Sequence, residues 1–367
     1  MKVLVGSVQF SPIFKSHCFA FGNQCEKMGV DVNYLFSSEY EWMLPERAKR
    51  KARFLGSSVG AGSAFKDGLN PEIRKDLREI IDEIRPDLIY MHNIQPFHNY
   101  LIAGIARRRK IRFVQHFHEP YVEDKSPYGR SRGSLISVFE LMQAALLRRT
   151  DIAVVSSNEG RRLFEIRYPH FKGQLMQIPL MYEDIGRGQS ENGNREFATF
   201  IGPISMVKGF DIYKRIAGIA HSENPNLKFQ IITRKPVDEK DIRDSNNISI
   251  FHKPKISDEE IVENLSRSHL LIAPYRSVRQ SSSVITSYMC GTPVLAMNVG
   301  GMKECIDDRF TGFLVNPADS IEEWMKGLNH ILSNQEEMSR NCRAIFEKNY
   351  SEDNWLKYIG KVLYEGR

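Results

Sequence analysis

The stretch Ala273-Pro274-Tyr275-Arg276-Ser277-Val278-Arg279-Gln280-Ser281-Ser282-Ser283-Val284-Ile285-Thr286-Ser287-Tyr288-Met289-Cys290-Gly291-Thr292-Pro293-Val294, followed by Val299-Gly300-Gly301-Met302-Lys303-Glu304-Cys305-Ile306, decides the fold. It reads as strand, polar loop, helix, Gly-Thr-Pro turn, strand, Gly-Gly turn, helix. The run Leu270–Ala273 is short and wholly apolar, as strands buried on both faces of a parallel sheet are. The loop after it carries two arginines, a glutamine and three serines just before a helical pattern. A helix start offers unpaired N–H groups and a partial positive charge, so it suits an anion. The serines suit either a cap or a ligand oxygen.

Outward from this stretch the same alternation recurs. Strands are expected at Lys2–Val8, Val30–Phe36, Leu88–His92, Ile111–Gln115, Asp151–Val155 and Gln174–Ile178. After them come Phe197–Ile201, Phe229–Thr233, Ile248–Phe251, Pro293–Ala296 and Phe313–Val315. Helical patterns fill the gaps. The clearest has Asn70-Pro71 as cap and first residue, then Ile73, Leu77, Ile80, Ile81 and Ile84 on one face. Segment 9–17 reads as the first strand-to-helix loop, with its helix at Cys18–Met28. Such alternation implies doubly wound parallel sheets. The Gly-, Asn- and Ser-rich segment 185–195 reads as a linker. It separates a first α/β domain, 1–184, from a second, 196–350, with a helical tail at 351–367.

Composition excludes several classes. No apolar run approaches the roughly 18–20 residues that span a bilayer. Five scattered cysteines without a CxxC speak against a disulfide framework or a zinc site and for a reducing cytosol. The net charge of +6 is uneven: residues 1–190 hold 28 Lys+Arg against 21 Asp+Glu, a balance of +7, and the rest −1. An anionic partner for the first half fits this balance. Within it, Arg47, Lys49, Arg50, Lys51 and Arg53 lie among aromatic and aliphatic residues, a pattern that suits an acceptor or a membrane surface. Dispersed basic residues and the lack of a nucleic-acid motif speak against nucleic-acid binding.

Ligands of open α/β sheets sit beyond the C-terminal strand ends. Four such places carry chemistry. Gly202 and Lys208 follow Phe197–Ile201, and a lysine at a helix start suits a phosphate. His116 and His118 end another strand on one face; a hydrogen-bonding histidine at a ligand is the preferred reading, a packed structural histidine the second, and a metal the third, since it would need a third ligand that the sequence does not make evident. The loop Arg276, Arg279, Gln280, Ser281, Ser282 and Ser283 is the third. Gly300 and Gly301, with Glu304 in the following first turn, are the fourth. Lysine, arginines, helix starts, a histidine and a hydroxyl-binding glutamate together match a diphosphate joined to a sugar.

On these residues the second half resembles the donor-binding domain of the group 1 retaining glycosyltransferases of the GT-B fold. The resemblance is carried by Phe200-Ile201-Gly202 with Lys208-Gly209, Cys290-Gly291-Thr292-Pro293-Val294, Gly300-Gly301 with Glu304, and Asp307 with Thr311–Val315. The first half resembles the family more loosely, through Asp87–His92 and His116–Pro120. The resemblance implies two Rossmann-like domains facing a central cleft, with the last helix crossing back to the first domain. It also implies metal-independent transfer of a sugar from a nucleotide-diphosphate sugar, with no cofactor, onto a glycan or lipid-linked acceptor. The setting would be the cytoplasm, including the inner face of the cell membrane. Lys208 should meet the diphosphate, His118 the donor sugar, and Gly300 and Gly301 should line the donor pocket. The family typically has two glutamates eight residues apart where Val278 and Thr286 stand here, and often an arginine where Pro203 stands. Arg276 or Arg279 would then supply the charge, and Gln280 with Ser281–Ser283 the sugar contacts. An inactive sugar-nucleotide or partner-binding protein of the same fold is the alternative.

Overall fold

The computed structural model describes residues 1–56, 70–126, 129–186, 195–238, 247–278 and 281–365. Contacts divide the chain into two compact units, Met1–Glu183 with Ser351–Arg367, and Asp184–Tyr350. The expected linker lies largely outside the described residues.

The first unit is built on a seven-stranded parallel sheet in the order β3-β2-β1-β4-β5-β6-β7. Its strands are β1 (Lys2–Ser7), β2 (Asp31–Ser37), β3 (Ala52–Leu55), β4 (Leu88–His92), β5 (Arg112–Phe117), β6 (Ile152–Val155) and β7 (Gln174–Gln177). Every residue of β4 and of β6 is buried, as helices on both faces of a parallel sheet require. Helix α1 (Pro12–Lys27) begins six residues earlier than the sequence suggested. Ser11 is its extended N-cap and a proline occupies its start. Lys15 and His17 are therefore helical and buried. Buried Tyr40 fixes the turn before this helix, its hydroxyl 2.9 Å from the Ser11 amide and 2.8 Å from the Gln9 carbonyl oxygen.

The basic segment has regular structure. It forms the short α2 (Glu46–Lys49) and the edge strand β3, paired with Tyr34–Ser37 of β2. Helix α3 (Pro71–Ile84) follows the predicted pattern: Asn70 accepts from the Glu72 amide at 2.9 Å, and Ile73, Leu77, Ile81 and Ile84 are buried. Burying each such side chain contributes roughly 1.5–3 kcal/mol. The chain returns to this unit at its end. The Glu352 amide donates to the Tyr182 carbonyl at 2.9 Å, and Trp355 packs on Phe21 and Tyr90.

The second unit carries a six-stranded parallel sheet in the order β10-β9-β8-β11-β12-β13. These strands are β8 (Phe197–Ile201), β9 (Lys228–Thr233), β10 (Ile248–His252), β11 (Ser268–Ala273), β12 (Val294–Met297) and β13 (Gly312–Val315). Order reverses between β8 and β11, as it does between β1 and β4 in the first sheet. Such a switch point opens a crevice at the carboxyl ends of the two strands.

Candidate active site

In the second unit the switch point assembles around Lys208. Gly202, just past β8, has φ +128°, a value open to glycine and costly for other residues. A Cβ added there would meet the Lys208 Cε at 3.8 Å, so the lysine side chain lies over this glycine. Its ammonium stands 3.6 Å from the centre of the Tyr275 ring, just past β11. Tyr275 is buried and its hydroxyl donates to the Ile201 carbonyl at 3.0 Å, which ties the two strand ends together. Gly209, at φ +66°, follows the lysine and starts helix α4 (Phe210–Glu223). A Cβ at Gly209 would lie 1.9 Å from the Pro274 carbonyl oxygen, so only glycine lets the two loops come this close. A cation and the N-terminus of a 14-residue helix thus sit together at the switch point.

The loop after β11 is held differently from the sequence expectation. Arg276 makes a two-pronged pair with Asp211 at 2.7 and 2.6 Å and donates to the Met206 carbonyl at 2.5 Å. That hydrogen-bonded pairing holds the Asp211 carboxyl below its usual range. The guanidinium of Arg276 is therefore committed to bracing the β11 loop against α4. Arg279 and Gln280 lie outside the described residues. Ser281 is buried and is the N-cap of α5 (Ser282–Met289), without a side-chain capping bond; Ser282, Ser283 and Thr286 are half-buried on that helix.

Gly300 and Gly301 pack against this loop. Gly300 has φ +50°, a Cβ on it would lie 1.9 Å from the Val278 carbonyl oxygen, and Gly301 donates its amide to that oxygen at 3.1 Å. The glycine pair thus lets the backbone of Val278 approach, at one of the two positions where a carboxylate was expected. Glu304 is half-buried in the four-residue helix α6 (Met302–Cys305). Arg195 carries no signal in the sequence. It donates to the carbonyls of Ser268, Cys290 and Gly291 and to the hydroxyls of Thr292 and Ser339, clamping the Gly-Thr-Pro turn.

In the first unit His118 follows β5, and the structure brings three more imidazoles to it. The β4–β5 register pairs His92 with His116. The ring centres of His116 and His118 are 4.9 Å apart, and that of His17 on α1 is 5.4 Å from His118. His17, His92 and His116 are buried, and His118 is half-buried. Burial lowers the proton affinity of all four. It lowers His17 to about 4, against the opposing bond to the Met181 carbonyl, and His116 to about 3, with His17 adding to the effect. His92 and His118 are held well below their ordinary value by burial first and by neighbouring imidazoles second. The third histidine that the sequence did not make evident is thus His92. Of the basic residues, Lys49, Lys51 and Arg53 are paired with Glu46, Glu26 and Glu83, which leaves Arg47 and Arg50 outside those pairs.

Two parallel α/β sheets, each with a crevice at its switch point, define the GT-B class, and solved structures agree. Sucrose-phosphate synthase from Thermosynechococcus elongatus matches with a TM-score of 0.72 at 13% identity, covering 99% of this chain and 98% of that one. Anabaena HepE in complex with UDP-glucose matches with a TM-score of 0.71 at 14% identity, covering 99% of each. The family model for glycosyl transferases group 1 matches residues 182–348, and that for the glycosyl transferase 4-like domain matches residues 20–174. The chain belongs to the group 1 glycosyltransferase family. D-inositol 3-phosphate glycosyltransferase of Paenarthrobacter aurescens is 27% identical over 138 residues, 34% of each chain. Its counterpart in Nocardiopsis dassonvillei is 22% identical over 227 residues, 55% of this chain and 51% of that one. The matches thus span about a third to a half of the length of these relatives. No helix among the described residues is long and apolar enough to cross a membrane.

Proposed function

We propose that the chain transfers a sugar from a nucleoside-diphosphate sugar to an acceptor hydroxyl, with retention at the anomeric carbon. The acceptor oxygen bonds to that carbon, the bond from it to the diphosphate breaks, and the acceptor proton passes to the departing phosphate. The observation that carries this reading is Lys208, held over Gly202 and against Tyr275 at the start of a 14-residue helix. A fixed cation and oriented amides stabilise charge that develops on a leaving group, and they need no metal bridging the phosphates. Family membership supports the reaction class, and HepE, seen with UDP-glucose, supports the donor class.

Lys208 is assigned to the diphosphate, Glu304 and Ser281–Ser283 to hydroxyls of the donor, and His118 to the transferred sugar. Arg276 is assigned a positioning role through Asp211. The acceptor is proposed to be a glycan or a phosphate-bearing lipid-linked intermediate at the inner face of the cell membrane, in keeping with the basic first half. The test is a thermal-shift series with UDP, GDP, ADP and their sugars. One base should raise the melting temperature, by binding linkage. No response to any nucleotide would remove the reading.

A further inference from the structure

Beyond the transfer reaction, we infer that His92, His116 and His118 form a site for a divalent metal ion of the zinc class. One ring nitrogen from each of the three lies within 4.8 Å of the others. Zinc holds nitrogens at about 2.0–2.1 Å, which sets tetrahedral ligand atoms roughly 3.4 Å apart, so binding draws the three rings closer together. Three protein ligands leave a fourth position for water.

A second, independent observation points to a ligand. Both ring nitrogens of His92, which is 1% exposed, and Nε2 of His118 are buried with no hydrogen-bond partner among the described residues. Buried polar atoms are nearly always paired, and leaving one unpaired costs about 1–3 kcal/mol. A packing role leaves all three nitrogens unpaired, whereas a metal ion takes up one nitrogen from each histidine. The ligand chemistry selects the ion. Neutral imidazoles suit zinc, nickel and copper; magnesium and calcium prefer oxygen, and no carboxylate belongs to the set.

The surroundings of His116 fit a metal-bound histidine, whose second ring nitrogen is normally hydrogen-bonded. The Tyr90 hydroxyl lies 3.1 Å from Nδ1 of His116, and the Ser156 hydroxyl lies 2.5 Å from its Nε2. Ligation by His116 releases one of these hydroxyls and keeps the other to orient the ring. His17, whose Nδ1 is bonded to the Met181 carbonyl at 2.9 Å, closes the cluster on the α1 side. Ligation of His118 through one nitrogen leaves its other nitrogen for a sugar hydroxyl. The diphosphate charge assigned to Lys208 does not depend on this ion.

The test uses the full chain, stripped of metal and titrated with Co²⁺ alone and then with Zn²⁺. The expected result is one Co²⁺ per chain with the intense visible absorption of a four-coordinate site, lost when Zn²⁺ displaces it. His92→Gln and His118→Asn should each weaken binding by tenfold or more, with His170→Gln, at an exposed histidine, as the unchanged control. Circular dichroism melts confirm that each variant is folded, and the His118 variant, at the half-buried position, serves if the His92 variant does not fold. Absence of stoichiometric Co²⁺ binding, or binding that survives the replacement, would overturn the site.

Discussion

The ammonium of Lys208 stands 3.6 Å from the centre of the Tyr275 ring. The lysine follows β8 and the tyrosine follows β11, so the pair spans the switch point of the second sheet. The ring face attracts the cation and aims it without neutralising it. Such a contact is worth roughly 0.5–2 kcal/mol. Tyr275→Leu should therefore weaken nucleotide-sugar binding by a few-fold to about 30-fold, whereas Tyr275→Phe, which keeps the ring, should stay near wild type. Calorimetric titration separates them, and equal losses in both would show that the hydroxyl bond to Ile201 matters instead.

Arg276 offers a sharper distinction. If it acts by bracing the β11 loop through Asp211, then Arg276→Ala and Asp211→Ala should lower donor affinity equally, and the double variant should be no worse than either. Partly exposed pairs contribute little to stability, on the order of 1 kcal/mol or less, so both variants should melt near wild type. A far larger loss in the arginine variant would give Arg276 a direct phosphate contact.

Gly209 and Gly300 both face a carbonyl oxygen at a distance no Cβ tolerates, and both have positive φ. Gly209→Ala should separate the Lys208 turn from Pro274, and Gly300→Ala should push Val278 and its loop outward. Loss of donor binding with a lowered melting temperature is expected for both. The contrasting control is Gly218→Ala on α4, where a Cβ meets open space and helix propensity improves by about 1 kcal/mol.

A pH effect is expected at Glu183. Burial raises its carboxyl to about 7, although Asn23 donates to it at 3.2 Å. The folded state therefore binds this proton more tightly than the unfolded chain, whose glutamate titrates near 4.5. The stabilisation is complete below the unfolded value and is lost as pH rises from there through about 7. Glu183→Gln should flatten the fall in melting temperature over that window and raise stability at pH 8. An unchanged pH profile would show that the carboxyl is solvated.

Much of this arrangement was legible in the sequence, because buried parallel strands are short apolar runs and their ligands follow them. Leu88–His92 and Leu270–Ala273 announced themselves in this way. The residues missed were those that topology alone brings together. His92 ends β4 and His116 lies in β5, so their proximity follows from register and not from spacing. His17 reads as a loop residue unless Ser11-Pro12 is taken as the cap and start of α1. Strand β3 was hidden because its Arg53 is an edge residue that pairs with Glu83 and so looks like surface. Arg276 looked like a ligand contact because its partner, Asp211, is 65 residues away.

The most direct measurement is the acceptor-dependent release of nucleoside diphosphate by the wild-type chain and by Lys208→Ala, with the donor base found by thermal shift. Removing one fixed donor to a developing charge typically costs on the order of 10²–10³ in kcat. The expected result is a loss of that size with an unchanged melting temperature in the absence of nucleotide. Undiminished turnover by the folded variant would contradict the assignment of the diphosphate to Lys208.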